Sequence, residues 1–321
     1  MFELDLYRTM LLEPVRKDPG LDSLFVVSGY ATAAMAYRHL ADLERFKSRP
    51  MLHLVCGMAA RDGLAVANHK GFVSLVSDRP YGGRVHCDYV VKGNPVHAKV
   101  YVWCSGAIPV RAFAGSANYS QTALGYAVTR EVMVEVDPVK AFSWVEKVRD
   151  VTLPCTDPAV KDLVSMYVAP VSPFIPTRIA EHLPPLGRNV DSVSTTLLVE
   201  AGWQRSALNW GQRDGREPNQ AYIRLTKEAW STDFFPAVGV RFTVLTDDGQ
   251  AFVCTRAQAN GKAIETPHNN SLIGKYFRER IGVRDGALVT LKDLDAYGRR
   301  DVQFFKIDDE TYFMDFSVKR I

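Results

Sequence analysis

Apolar positions in the first half of the chain alternate between short unbroken blocks and helically spaced ones. SLFVVS (23–28) has the pattern of a buried strand, and ATAAMAYRHLADLERF (31–46) that of a helix. MLHLVC (51–56) is again strand-like, and RDGLAVANH (61–69) reads as a short helix. FVSLVS, RVHCDYVV, VHAKVYVW, VRAFAG and EVMVEV follow as apolar or alternating runs, read as successive strands. PVKAFSWVEKVRD (138–150) is predicted helical, opened by proline in its first turn. Early β-α-β units followed by strands predict an α/β domain: a mixed sheet with helices on both faces.

The texture changes after residue 150. VAPVSPFIPTR and EHLPPLGRN are proline-rich and lack a sustained period, although VKDLVSMYV can form one helical piece. Beyond them TTLLVEA, AYIRL, VRFTVLTDDGQAFVCTRAQ, ALVTL, VQFFKI and TYFMDFSV read as strands, with TDDGQ as a hairpin turn. Only SLIGKYFRERIG (271–282) and part of KEAWSTDFF look helical. The expected organisation is an α/β domain at 1–170, a proline-rich linker at 171–190 and a mainly-β domain, a small barrel, at 191–321.

Composition narrows the setting more than the chemistry. The 321 residues favour two domains, and 47% hydrophobic with 23% charged residues is ordinary for globular protein. A net charge of +3 names no partner, so any nucleic-acid surface must come from local placement of Arg and Lys. MFELDLYRTM does not read as a signal peptide, and no window approaches a membrane span. The five cysteines are scattered without a CxxC pair, which argues against a disulfide framework or zinc site and for a reducing cytoplasm. No GxxxxGK[ST] loop is present, so the chain has no recognisable ATPase site of its own.

Candidate chemistry begins at VHAKVYVW (96–103). On a strand, Val96, Ala98, Val100 and Val102 share one face and His97, Lys99, Tyr101 and Trp103 the other. Imidazole and ammonium would then stand about 7 Å apart along the strand, a gap one phosphate can span. GSANYSQTAL follows the next strand. Gly115 permits close backbone approach, Ser116 and Asn118 offer donors, and SQTAL can open a helix whose amides favour an anion. REVMVEV then places Glu131 at the start of another strand, where a carboxylate can orient an imidazole. Asp62, Asp78 and Asp88 read as surface or capping residues.

His97-Ala98-Lys99 followed by Gly115-Ser116-Ala117-Asn118 resembles the phospholipase D superfamily signature, H-x-K-x4-D then G-S-x-N. Cys104 stands where that signature has Asp, as in the restriction-endonuclease branch, and Glu131 resembles that branch's downstream Glu supporting the active-site His. The resemblance implies covalent catalysis at phosphorus, with His97 forming a phosphohistidine. A second His must protonate the leaving oxygen. Only one of the seven His has an H-x-K context, which implies a homodimer through this domain with one composite site. Lys99, Ser116 and Asn118 would carry the phosphate's charge, with no metal or other cofactor required.

The second half is rich in polar turns. SALNWGQRDGREPNQAYIRL (206–225) and ANGKAIETPHNNSLIGKYFRERIG (259–282) carry Asn, Gln, Arg and Lys suited to base readout, with Lys275, Arg278 and Arg280 suited to phosphates. LNWGQRDGREPNQAYI, FFPAVGVRFTVLTDDG, HNNSLIGKYFRERIGV and FFKIDDETYFMDFS resemble the C-terminal domain of NgoFVII-type restriction endonucleases, a B-three-like DNA-binding pseudobarrel joined to a phospholipase D-like nuclease domain. In that family two arms of the barrel grip the major groove; here they would lie at about 206–219 and 258–271. The expected DNA contacts are Asn209, Trp210, Gln212, Arg213, Arg216, Lys262, Asn269, Asn270, Lys275 and Arg278.

The resemblance implies a type II-like endonuclease acting on double-stranded DNA without a metal. Some relatives work with a separate helicase-like ATPase, and the missing ATP loop leaves that partner open. Two other readings compete: a phospholipase D-like phosphodiesterase of another substrate, which gives the polar loops no role, and a DNA-binding regulator with an inactive nuclease-like half, which Cys104 invites.

Overall fold

The computed structural model describes residues 5–46, 48–77, 81–124, 130–167, 192–199, 203–258, 260–307 and 309–318. The expected linker, 171–190, lies outside the described residues, as does Asp78. The chain divides into two compact units, Met1–Val168 and Ala169–Ile321.

The first unit is built on strands β1 (Ser23–Ser28), β2 (Met51–Cys56), β4 (Val85–Val90), β5 (Lys99–Ser105), β6 (Ile108–Gly115), β7 (Met133–Val136) and β8 (Thr152–Pro154). They form one sheet in the order β7-β6-β5-β1-β2-β4-β8. β1, β2 and β4 are parallel and the remaining pairs antiparallel, so the sheet is mixed. A short parallel pair, β3 (Leu64–Ala65) with β9 (Met166–Tyr167), stands apart from it. Helices Ala33–Arg45 and Val66–Ser77 cover one face with Met35, Leu40, Leu43, Phe72 and Leu75. Pro138–Arg149 covers the other with Val145 and Val148. β1 is buried along its whole length because both faces are covered.

Three elements differ from expectation. RDGLAVANH is not one helix but the end of Ala59–Asp62, then β3, then the start of Val66–Ser77. FVSLVS ends the helix Val66–Ser77 and is not a strand. Phe72 and Leu75, three apart, both reach the core. Gly71 lets this helix approach its neighbour, since a Cβ there would stand 2.5 Å from that of Ala33. VKDLVSMYV splits into a helical turn, Val160–Leu163, and β9.

One core group makes this unit acid-sensitive. His39 is buried, with Nδ1 2.9 Å from the Tyr119 hydroxyl and Nε2 3.3 Å from the Leu11 carbonyl. Burial lowers its pKa from 6.5 to about 4, against the opposing pull of the Leu11 hydrogen bond. Between these values the unfolded chain binds the proton and the folded one does not, so stability falls as pH drops from 6.5 towards 4. The loss expected from His39 is on the order of 3 kcal/mol. Urea midpoints at pH 7 and pH 4.5 measure it, and His39→Gln should reduce the difference, leaving the part due to His53, which burial also lowers to about 4.

The second unit contains β10 (Ser192–Thr196), β11 (Ile223–Arg224), β12 (Arg241–Thr246), β13 (Ala251–Ala257), β14 (Ala263–Glu265), β15 (Asp301–Lys306) and β16 (Thr311–Asp315). Their order is β10-β15-β16-β12-β13-β14-β11, with only β12–β16 parallel. The two ends meet where the Thr195 hydroxyl donates to the Arg224 carbonyl, so a side chain closes the barrel in place of a ladder. Phe235, Phe242, Phe277, Phe304, Tyr312 and Phe316 fill the interior. TDDGQ turns β12 into β13, with Gly249 at φ 82° and Gln250 N donating to Thr246 Oγ1 at 2.9 Å. ALVTL, expected as a strand, instead leads into the helix Leu291–Tyr297, whose start Thr290 and Asp293 fix as a reciprocal capping box.

Candidate active site and recognition loops

Register brings the candidate residues together. Ser28 of β1 pairs with Lys99 of β5, Lys99 with Gly115 of β6, and Gly115 with Met133 of β7. These four residues make one rung across four strands. The residues just past it, Tyr30, His97, Ser116, Asn118 and Glu131, therefore converge at one end of the sheet.

The face shared by Lys99, Tyr101 and Trp103 is core: Lys99 is 5% exposed and the two aromatics are fully buried. Tyr101 donates to the Ala117 carbonyl at 2.8 Å, tying β5 to the GSAN loop. Val100 and Val102 pack on the opposite side. His97 precedes the strand and is exposed. Lys99 Nζ folds back to the His97 carbonyl at 2.7 Å and lies 3.2 and 3.3 Å from the ring nitrogens, closer than strand spacing alone predicts. Burial pulls the Lys99 pKa down while Glu131 pushes it up. Cys104 is a buried core thiol, its pKa raised by burial to about 11.

Glu131 accepts from the Ser116 hydroxyl, whose oxygen in turn accepts from Val132 N at 3.0 Å. Gly115 is required there, since a Cβ would lie 2.0 Å from the Val132 carbonyl oxygen. The expected partnership of Glu131 with an imidazole is thus replaced by one with Ser116. Asn118 Oδ1 accepts from Tyr30 N at 3.2 Å, with Ser28 Oγ 3.4 Å away, which leaves its amide nitrogen as the available donor. Helix Gln121–Leu124 opens at SQTAL, but its four residues are too few for an anion site.

Three residues of the site carry no signal in the sequence. Ser28 donates to the Tyr30 carbonyl at 2.5 Å and accepts from Tyr119 N at 2.9 Å. The Tyr30 ring stands perpendicular to that of His97, 5.8 Å between centroids, and its hydroxyl donates to Asp62 at 2.5 Å. Asp62, read from sequence as surface or cap, belongs to this cluster.

In the second unit the expected contacts fall into two groups. Arg278 is fully buried, donating to the carbonyls of Ala287 (2.8 Å), Gly274 (3.1 Å), Leu208 (3.1 Å) and Pro218 (3.4 Å). Burial lowers its pKa, opposed by Asp285 and Glu217. Asn209 is also fully buried, bonding Trp203 O, Val289 O and Val289 N. Both expectations of DNA contact are corrected, because these polar groups are consumed in holding the 206–219 loop. Arg280 is likewise engaged, by Asp247 at 2.8 Å and by Tyr276, Tyr297 and the Phe316 carbonyl.

The other group stands nearer the surface. Arg216 lies 3.8 Å over the Trp210 ring and donates to Gln220, and Trp210 meets Tyr222 edge-on. Arg213 is exposed, donating to the Arg205 carbonyl. Gln212 is half-buried on the Pro218 and Gly286 carbonyls. Lys262 rests 5.3 Å over Trp230. Asn269 is exposed and accepts from Ser271 N at the helix start, Asn270 donates to Glu265, and Lys275 is exposed. A residue not anticipated, Arg256, braces the 258–271 loop by donating to the Gly261, Pro236 and Trp230 carbonyls.

Among solved structures, the chain is similar to polyphosphate kinase from Porphyromonas gingivalis (14% identity, TM-score 0.29), over 44% of this chain and 20% of that one. NucT from Helicobacter pylori is similar over 44% of this chain and 94% of its own, at 16% identity and TM-score 0.29. No curated protein matches. Residues 4–162 match the NgoFVII restriction endonuclease N-terminal PLD domain, and residues 187–308 the NgoFVII C-terminal B3-like DNA-binding domain. With an α/β phospholipase D-like unit followed by a mainly-β B3-like pseudobarrel, the chain belongs to the NgoFVII restriction endonuclease family.

Proposed function

We propose that this chain is a site-specific, type II-like deoxyribonuclease that cuts DNA through a phosphohistidine without a metal ion. The observation that carries it is an exposed imidazole, His97, with the Lys99 ammonium 3.2 Å away, at the rung end shared by Ser116 and Asn118. A ring nitrogen of His97 attacks the phosphorus, forming an N–P bond as the P–O bond to the leaving strand breaks. The leaving oxygen takes a proton from His97 of the partner subunit. Water, deprotonated by that same imidazole, then breaks the N–P bond and returns the first histidine. Lys99 and the Asn118 amide hold the charge that builds on the non-bridging oxygens. In this reading residues 1–170 cut, 171–190 link and 191–321 recognise double-stranded DNA.

One imidazole cannot be both nucleophile and leaving-group acid, so the reading requires a homodimer through the first unit. The edge strand β7 supports a face for the second copy: Val132 and Val134 are 39% and 47% exposed beside the Ser116–Glu131 pair. An open apolar edge of this kind is normally covered. No helix among the described residues is long and apolar enough to cross a membrane.

The deciding experiment is cleavage of long duplex DNA in EDTA, with and without ATP and a helicase-like partner, alongside sedimentation mass. The expected result is discrete fragments in EDTA from a protein of twice the chain mass. Binding of specific sites with no cutting under any condition would instead indicate an inactive regulator.

A further inference from the structure

We propose that Tyr30, braced by Asp62, is a positioning residue that holds the His97 ring in the orientation from which it attacks. The inference rests on the reading of His97 as nucleophile and extends it to how that ring is held.

A nucleophilic imidazole needs its lone pair aimed, and a hydrogen-bonded carboxylate is the usual means. Among the described residues no carboxylate is hydrogen-bonded to His97, and Glu131 accepts from Ser116. What meets the His97 ring is the Lys99 ammonium, which faces both nitrogens nearly equally at 3.2 and 3.3 Å and so selects neither. Across from it stands the Tyr30 ring, set at 80° to the imidazole. Such an edge-to-face pair restricts rotation of a ring that is otherwise exposed.

Tyr30 can do this because it is itself held at three points, although 45% exposed. Its amide donates to Asn118 Oδ1, its carbonyl accepts from Ser28, and its hydroxyl donates to Asp62. Asp62 ends the helical turn Ala59–Asp62, whose preceding residue, Met58, donates its amide to the Gly29 carbonyl at 3.0 Å. The bracing carboxylate and the segment it braces are thus parts of one backbone assembly. Gly29 completes the slot, since a Cβ there would come within 3.2 Å of His97 Cδ2 and 3.3 Å of its Cα. The imidazole is seated between the Gly29 backbone and the Tyr30 ring. The same segment fixes the Asn118 amide, so one tether sets both the attacking group and a phosphate donor.

The test uses the full chain with Tyr30→Ala, Tyr30→Phe and Asp62→Ala. In single turnover, Tyr30→Ala should form the covalent phosphoryl-enzyme about 10- to 100-fold more slowly, with DNA affinity within about twofold of wild type. Tyr30→Phe, which keeps the ring and loses the tether, should recover most of that loss. Asp62→Ala should match Tyr30→Phe, and the double variant Tyr30→Phe/Asp62→Ala should be no slower than either, since both remove one bond. Ring order is read without turnover: in NMR spectra Tyr30→Ala should abolish the Overhauser contacts from the His97 ring to Gly29. A Tyr30→Ala enzyme within about twofold of wild type, or one whose Gly29 contacts persist, overturns the proposal. Failure of wild type itself to form the adduct counts against the nucleophile reading, and the ring contacts then still decide the role of Tyr30.

Discussion

His97→Ala is expected to lower DNA cleavage at least about a thousandfold while leaving sequence-specific binding intact. The variant removes the atom that forms the N–P bond, and no other His stands at the rung end among the described residues. The fold should not suffer. The side chain is exposed, and the Lys99 bond at 2.7 Å runs to the His97 carbonyl, which alanine keeps. Quench-flow cleavage rates beside gel-shift affinities at one fixed salt concentration provide the check. Residual cutting within about tenfold of wild type would place the nucleophile elsewhere. Loss of binding along with cutting would deny the division of labour between the two units. Mixed dimers of wild type and His97→Ala add a second readout, since a composite site needs both imidazoles.

Arg278→Ala should instead destabilise the second unit. It removes four bonds to backbone carbonyls, of which the Pro218 oxygen keeps a second donor in Gln212. Breaking one side of such a network typically costs about 3 to 5 kcal/mol, roughly a 10 °C fall in Tm for a unit of this size. Lys275, one turn away and exposed, is the control. Lys275→Ala should leave Tm unchanged, weaken DNA binding across sequences and reduce the salt slope by about one. Thermal melts of the full chain and binding at several salt concentrations distinguish the two residues. An Arg278→Ala protein that melts normally but binds DNA poorly would return Arg278 to the interface.

The contrast shows what the sequence could and could not reveal about basic residues on a helix. Lys275 and Arg278 lie three apart, and their charge alone gives no reason to bury one and expose the other. The neighbours do. Ser271, Gly274 and Arg278 follow a three-and-four spacing, and the two small residues leave room for a guanidinium among backbone carbonyls. At Gly274 a Cβ would meet the Asn219 carbonyl oxygen at 1.8 Å. FVSLVS misled for a related reason: a six-residue run with four apolar positions carries too little period to separate strand from buried helix. The His97, Lys99, Ser116 and Asn118 positions were legible because Lys99 pairs with Gly115 on one rung and the other three lie within three residues of that pair. Tyr30 and Asp62 were not, because they reach the site from a loop after β1 and a helical turn after β2, which only the parallel β1–β2 pairing brings together.

The start of β5 has a consequence for the catalytic cycle. Lys99 stands inside a ladder bonded on both sides, whereas His97 sits two residues upstream, outside it. In the proposed reaction the imidazole takes on a phosphoryl group and surrenders it each turnover, while phosphorus inverts at each of the two steps. The ammonium has no such excursion to make. Splitting the two across a strand boundary gives the cycle one stationary charge and one travelling reactant, so the phosphate's reference point does not move with the bond being made.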